Sequence, residues 1–311
     1  MTVLLGGAGP ALAQSGPAPS AGAASLDQIL AYEAGKPLDV KVVGVEKKPG
    51  VTIEDVTFGS VTGGSPTQAY VVRPESGSGP FAGVLFIHWF APPAPTSNRT
   101  QFLSEAEALA RRGTVSLLVS TFWSDPDRYM GRKWENDYQS SVNQAKDLRR
   151  ALDVLLAQPG VDPKRIGLVG HDYGAMFGSL VTAVDPRPKA QVLIAGTSRF
   201  SNWYLLGSAS GVPKGEALAS FKAQLATIDP IDVIKQTKAA TFFQFGELDG
   251  YTKREDFMAF YMAAPGVKRI ATYHSDHAMT ADIIGLDRSV WLAEQLGLPG
   301  GSPAPAVQPA H

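Results

Sequence analysis

Gly170-His171-Asp172-Tyr173-Gly174 is the segment of this chain best suited to chemistry. It follows the apolar run RIGLVG (Arg165–Gly170) and precedes a stretch of small residues that begins at Ala175. Two glycines flanking a central residue on a tight strand-to-helix turn force that side chain into a strained, exposed position. They also let neighbouring backbone pass close by. The turn aims the central residue at a helix N-terminus, whose partial positive charge stabilises an anion. The pattern is that of a nucleophile elbow, with Asp172 where serine is the familiar occupant.

A nucleophile on such a turn works with an acid and a histidine that follow it in the chain. The run TFFQFG ends in Glu247-Leu248-Asp249-Gly250. Asp249 lies just past the strand and is followed by glycine, which favours it over Glu247 as the orienting carboxylate. The last apolar strand, IATYH, is followed by Ser275-Asp276-His277. His277 lies in the loop beyond the strand and is favoured as the base over His274, which is still on the strand end. His171 beside the nucleophile reads as structural, because adjacent side chains on an elbow diverge.

His88 closes the strand GVLFIH and opens the loop Trp89-Phe90-Ala91-Pro92-Pro93. An oxyanion needs two N–H donors. Tyr173 supplies one, and because proline has no N–H, Trp89, Phe90 or Ala91 supplies the other. His88, Trp123, Trp203 and Tyr204 are candidate pocket residues, the last two on a lid expected over Arg199–Lys238. No H-E-x-x-H pair is present, so neither a metal nor a cofactor is indicated.

An aspartate in the elbow changes the reaction that is feasible. A serine must lose a proton as it attacks, whereas a carboxylate of reference pKa about 3.9 is already ionised at neutral pH. Attack on an ester carbonyl would give a high-energy anhydride. Attack on a saturated carbon bearing a leaving group gives an ordinary ester, which a water activated by His277 then hydrolyses. Epoxides and carbon–halogen bonds are such electrophiles.

The elements needed to hold these residues follow from the hydrophobic pattern. Val51–Gly59 and Thr67–Arg73 alternate as an antiparallel pair expected at a sheet edge. Gly83–His88, Val115–Ser120, Arg165–Gly170, Gln191–Ala195, Thr241–Phe245 and Arg269–Tyr273 read as strands, the first three as buried ones. Helical spacing marks Arg99–Arg112, Asp137–Leu156, Gly174–Val184, Arg254–Met262 and Ala281–Leu296. Alternating β and α units imply a mostly parallel sheet with helices on both faces, and ligands in such folds bind beyond the carboxyl ends of the strands.

Composition bounds the function further. The 311 residues carry a formal net charge of −1 with no long block of one sign, so a nucleic-acid partner is not expected and a small-molecule substrate is. Cysteine is absent, which excludes a catalytic thiol and any disulfide. No run reaches the roughly 18 apolar residues of a membrane span. Residues 2–13, TVLLGGAGPALA, end in an A-x-A site before Gln14 but lack a positive start. The expectation is a truncated signal peptide over 1–13, hence an exported protein, then a flexible linker over 14–25, one folded domain over 26–299 and a flexible tail over 300–311.

The HWF loop, FLSEAEALARRG, DLRRALDVLLAQPGVDPKRIGLVGHDYGA and FGELDGY…YHSDHAMT together resemble the dienelactone hydrolase family, over about two-thirds of the chain. The resemblance implies an α/β-hydrolase fold with a short lid insertion and a nucleophile–acid–histidine triad. Family members carry Cys or Ser at the elbow. The GHDYG elbow itself resembles the GHDWG type of epoxide hydrolases and haloalkane dehalogenases, which use aspartate. Three functions stay open at this point. They are an Asp-nucleophile hydrolase of epoxides or carbon–halogen bonds, a dienelactone-type ester or lactone hydrolase, and a non-catalytic binding protein on the same scaffold.

Overall fold

A computed structural model describes residues 24–299. The expected signal peptide, all of the linker but its last two residues, and the expected tail lie outside the described residues. The strands are β1 Lys41–Lys48, β2 Val51–Phe58, β3 Thr67–Pro74, β4 Phe81–Ile87, β5 Thr114–Val119, β6 Val161–His171, β7 Pro188–Ile194, β8 Ala240–Gly246 and β9 Lys268–Tyr273. The helices are α1 Leu26–Ile29, α2 Leu103–Ala110, α3 Pro126–Met130, α4 Asp137–Leu156, α5 Tyr173–Val184, α6 Ser201–Tyr204, α7 Gly215–Leu225, α8 Pro230–Val233, α9 Arg254–Ala263 and α10 Asp282–Leu296.

All nine strands form one sheet in the order β1-β2-β3-β5-β4-β6-β7-β8-β9. The first three strands run antiparallel, and β3 is antiparallel to β5. From β5 to β9 every pairing is parallel. The central strand β4 is buried along its whole length, which only a sheet covered on both faces allows. Its side chains alternate between the two layers. Leu85 and Ile87 pack with Leu148 and Leu152 of α4 and Met176 and Leu180 of α5. Val84 and Phe86 pack with Ala106 and Leu109 of α2 and Leu292 and Leu296 of α10.

One expectation is corrected. The antiparallel pair β2–β3 does not form the sheet edge; β1 does. Its Val42, Val43 and Val45 are all more than half exposed, so no buried face marks it as a strand, and it is held by pairing with β2. Between β5 and α4, α3 is capped by Asp125 and opened by Pro126. The lid is short, built from α6, α7 and α8 between β7 and β8. No helix among the described residues is long and apolar enough to cross a membrane.

The elbow depends on space for backbone. A Cβ on Gly174 would lie 2.1 Å from the Ile87 carbonyl oxygen, and one on Gly170 would lie 2.1 Å from the Gly174 carbonyl oxygen. Gly285, on α10, has only the flexible end of Arg288 near it, at 3.6 Å. In urea denaturation, Gly174→Ala is therefore expected to lose at least about 2 kcal/mol. Gly285→Ala is expected to gain about 0.5–1 kcal/mol from helix propensity.

Candidate active site

Asp172 sits between the end of β6 and the start of α5 with φ 59° and ψ −119°. A non-glycine residue holds such a conformation only where its surroundings over-determine it. Here the Asp172 N–H donates to the Ile194 carbonyl at 2.9 Å, and its own carbonyl accepts from Ala175 N–H at 3.0 Å. The turn is thus pinned to β7 on one side and to α5 on the other.

The structure brings Asp172, His277 and Asp249 together. His277 Nε2 lies 3.3 Å from Asp172 Oδ1, and its Nδ1 lies 2.8 Å from Asp249 Oδ2. The other oxygen of Asp249 accepts the N–H groups of Tyr251 and Thr252 at 2.7 and 3.0 Å. Burial would raise the Asp249 pKa, but the imidazole and these amides hold it below the usual carboxylate range. The competitors lie elsewhere. Glu247 and His274 approach each other at 3.7 Å, with side chains 49% and 81% exposed, facing solvent.

His277 is nearly buried, which taken alone would lower its pKa. Hydrogen bonds and charge attraction from Asp172 and Asp249 outweigh burial and raise it to about 10. The imidazole is therefore a cation at neutral pH, clamped between two carboxylates.

Of the β4-loop amides expected as oxyanion donors, one faces Asp172. Phe90 N–H donates to Asp172 Oδ2 at 2.8 Å. Trp89 N–H is taken by Gln101 Oε1 at 2.8 Å, and Ala91 N–H by Ser97 Oγ at 2.9 Å. The expectation that Trp89 could be a donor is corrected on that ground. Tyr173 N–H, at the first turn of α5, makes no hydrogen bond among the described residues.

A cavity of about 330 Å³ opens over Asp172 and His277 and is lined by Phe90, Tyr129, Tyr173, Trp203 and Tyr251 among others. Three residues expected on its wall stand behind it instead. Trp123 is fully buried, stacks on Phe177 at 5.0 Å and donates Nε1–H to the His88 carbonyl at 3.2 Å. His88 is also buried, which pushes its pKa down to about 4. Its Nδ1–H donates to the Trp89 carbonyl at 2.6 Å, and its Nε2 accepts from Ser124 at 2.7 Å. Tyr204 is buried with its hydroxyl on Ser141 Oγ at 2.7 Å. These side chains brace the loops rather than face the cavity.

Sequence reasoning missed Tyr129 and Gln101. The Tyr129 hydroxyl bonds the Tyr173 hydroxyl on the cavity wall. The Asp125-Pro126 pair, a helix-start signal, could have located it. Gln101 joins Trp89 N–H to His171 Nδ1, and His171 Nε2–H donates to the His277 carbonyl at 2.9 Å. No local motif announces that chain of bonds. Among the described residues no group of three His, Cys, Asp or Glu side chains is placed to hold a metal ion.

The fold is that of the α/β-hydrolases. No protein-family model and no curated protein sequence matches the chain. Solved structures do. The acetyl xylan esterase from Paenibacillus sp. R4 is 17% identical, with a TM-score of 0.68 over 86% of this chain and 92% of that one. Acetyl xylan esterase 1 from Thermoanaerobacterium sp. JW/SL YS485 is 14% identical, with a TM-score of 0.68 over 87% and 92%. The esterase domain of a Rhodothermus marinus protein is 20% identical, with a TM-score of 0.56 over 79% and 99%. At these identities the likeness is one of fold.

The clamped imidazole makes a pH prediction. The folded pKa of His277, about 10, lies above the unfolded value of about 6.5. Its contribution to stability is therefore complete below pH 6.5 and is lost as pH rises through about 10. In Asp172→Asn one carboxylate is gone and the loss comes at lower pH. Between pH 8 and 10 the unfolding free energy should fall more steeply for wild type than for the variant; equal slopes would refute the cationic clamp.

Proposed function

We propose that this chain is a hydrolase whose Asp172 carboxylate attacks a saturated carbon bearing a leaving group, in an epoxide or a carbon–halogen bond. One observation carries this reading. Asp172 Oδ2 sits on the Phe90 N–H, where an oxyanion would be stabilised, while Oδ1 is the oxygen beside His277. In a serine esterase that donor must be free for the oxygen of the substrate. Here it serves the acyl group of Asp172 itself, which becomes an oxyanion only when water attacks an ester at that carboxyl.

The steps balance. Asp172 Oδ1 forms a bond to carbon as the bond to the leaving group breaks, giving a neutral alkyl ester. His277 then faces one carboxylate instead of two, so its pKa drops and its proton leaves, to bulk water with a halide or to the alkoxide of an opened epoxide. The neutral imidazole, oriented by Asp249, takes a proton from water as the water attacks the Asp172 carboxyl carbon. Oδ2 becomes the oxyanion on Phe90 N–H and Tyr173 N–H. The imidazolium gives that proton to Oδ1 as collapse expels it with the alkyl group as the alcohol; one water oxygen stays on Asp172, and the acid proton left there passes to the imidazole, restoring the cation between two carboxylates.

A second reading, ester or lactone hydrolysis, is favoured by the names that the neighbouring structures carry: acetyl xylan esterases and esterases. The two readings separate by experiment on a mixed panel of epoxides, haloalkanes, haloacids, esters and lactones. A single turnover in ¹⁸O-water should put the label into the peptide containing Asp172, and the first product should carry unlabelled oxygen. His277→Gln should accumulate the alkyl adduct on Asp172, read by intact mass. Asp172→Asn should form no adduct and lose at least about 10³-fold in turnover. Turnover confined to esters or lactones, with no label at Asp172, would establish the second reading; no turnover at all would favour a binding protein.

A further inference from the structure

Helix α4 has two faces. Val142, Ala145 and Leu148 pack into the core, while Ser140, Asn143, Gln144 and Asp147 repeat at helical spacing on another side. That polar side forms one wall of a second cleft, of about 680 Å³, completed by the β2–β3 loop and by the segment after β5. The cleft opens at the carboxyl rim of the sheet, where Ser120 N–H, just past β5, donates to the Gln68 carbonyl at 2.8 Å. Helix α3 divides it from the catalytic cavity: Tyr129 and Met130 line that cavity, and Asp125 and Arg128 line the cleft.

Gln144 is the side chain that points to a ligand. It is 8% exposed, and its Oε1 accepts the Phe122 N–H at 2.8 Å. Its Nε2 donates to no group among the described residues, and it is not one of the occluded polar atoms left without a partner. The amide therefore keeps its donor on the surface of the cleft that Gln144 lines. A nearly buried donor held in that way is placed for an acceptor that a ligand brings. Beside it, Asn143 Oδ1 accepts from Gln139 Nε2 at 2.9 Å, which leaves its own Nδ2 unengaged. The carboxylates of the cleft are already committed. Asp147 accepts the Ser60 hydroxyl at 2.9 Å, the Val61 N–H at 3.0 Å and the Thr62 hydroxyl at 3.2 Å, which ties the β2–β3 loop to α4. Asp125 accepts the Arg128 N–H at 3.1 Å as the cap of α3. The exposed Arg128 side chain is the one cation lining the cleft among the described residues.

We infer that this cleft binds a neutral polyhydroxylated ligand, a mono- or disaccharide. Beyond the two amides of α4, its wall is made of the side chains of Ser65, Thr67, Gln68, Ser120 and Ser140, with Phe122 and Pro66 as the apolar members. Hydroxyl and amide groups both donate and accept. A sugar hydroxyl does the same at a single oxygen, so neighbouring hydroxyls of one ring pair with such a wall in either sense. An apolar ligand would cover those groups without meeting them. A charged ligand would find its carboxylates engaged and a lone guanidinium at the rim. The volume lies in the range of small-molecule sites. The cleft lies apart from Asp172, and the inference does not depend on the reaction there.

Binding to the full-length protein tests this. Ligand-observed NMR at pH 7 screens glucose, galactose, mannose, xylose, cellobiose, maltose and xylobiose, with glucuronate and inorganic phosphate as charged controls. Calorimetry then titrates the tightest neutral sugar. Gln144→Glu keeps the acceptor for the Phe122 N–H and removes the donor, and Asn143→Ala removes the second amide from the solvent-reaching face of α4. Each is expected to weaken the sugar at least about threefold, while Asp172→Asn leaves its affinity unchanged. The inference is overturned if no sugar of the panel binds, or if both α4 variants bind it as wild type does. Loss of binding in Asp172→Asn would put the sugar in the catalytic cavity and overturn it too. Glucuronate or phosphate binding more tightly than every neutral sugar would make the cleft an anion site on Arg128 instead. None of these outcomes depends on whether Asp172 forms an ester, so this inference and the proposed reaction stand or fall separately.

Discussion

The site rests on backbone meeting backbone with no room for a side chain between. At Gly174 the first turn of α5 lies against the Ile87 carbonyl, where a Cβ would come within 2.1 Å. That contact sets the height of the elbow against the end of β4 and so brings Phe90 N–H to 2.8 Å from Asp172. The same device recurs at Gly246, where a Cβ would lie 2.4 Å from the Ser275 carbonyl oxygen and 2.6 Å from that of Asp276. There the end of β8 is flush with the loop that carries His277, two residues before the imidazole. Asp172, Asp249 and His277 come from three loops far apart in sequence, and two glycine contacts fix the spacing among those loops.

Around these contacts a set of neutral buried polar groups fixes orientation. Gln101 reaches both the Trp89 amide and His171, and His171 reaches the His277 carbonyl. His88 holds the Trp89 carbonyl from the other side. Burial, together with the charge of His277, keeps His171 well below its ordinary pKa, and burial does the same for His88. Two histidines next to the chemistry therefore carry no charge and serve as rigid hydrogen-bonding spacers, while the third carries one. The difference lies in partners: carbonyls, hydroxyls and an amide around the first two, carboxylates around the third.

The parts of the fold that were legible in the sequence are those whose physics is local. β4, α4 and α5 announce themselves because each buries a periodic set of side chains, and the elbow because strand, glycine pair and helix are contiguous. Asp249 and His277 were legible by chain order and loop position. β1 was not, since its valines are exposed and its identity as a strand comes from Val51–Phe58 across the ladder. Nor could the choice among Trp89, Phe90 and Ala91 be read, because it is decided by Gln101 and Ser97, which occupy the other two amides. Trp123, His88 and Tyr204 sit at strand and lid positions that suggest a pocket, yet each turns its polar atom to a buried partner. Position along the chain told which residues approach the site; the hydrogen bonds told which of them face it.

The fold is shared with esterases, but a carboxylate at the elbow inverts the electrostatics around His277. With a serine, the histidine has one carboxylate neighbour and must be neutral at rest, so that it can accept the hydroxyl proton as attack begins. With Asp172 the imidazole has two carboxylate neighbours and is a cation at rest. A cation cannot act as a base, and in the proposed mechanism it does not need to, because the first step of that mechanism transfers no proton to it. Ester formation on Asp172 would remove one of the two negative charges holding the proton in place. In that scheme the imidazole is released to act as a base only once there is an ester for water to attack. On the Asp172 reading, the order of the two half-reactions follows from charge alone, and the same three residues that position the nucleophile also time the base.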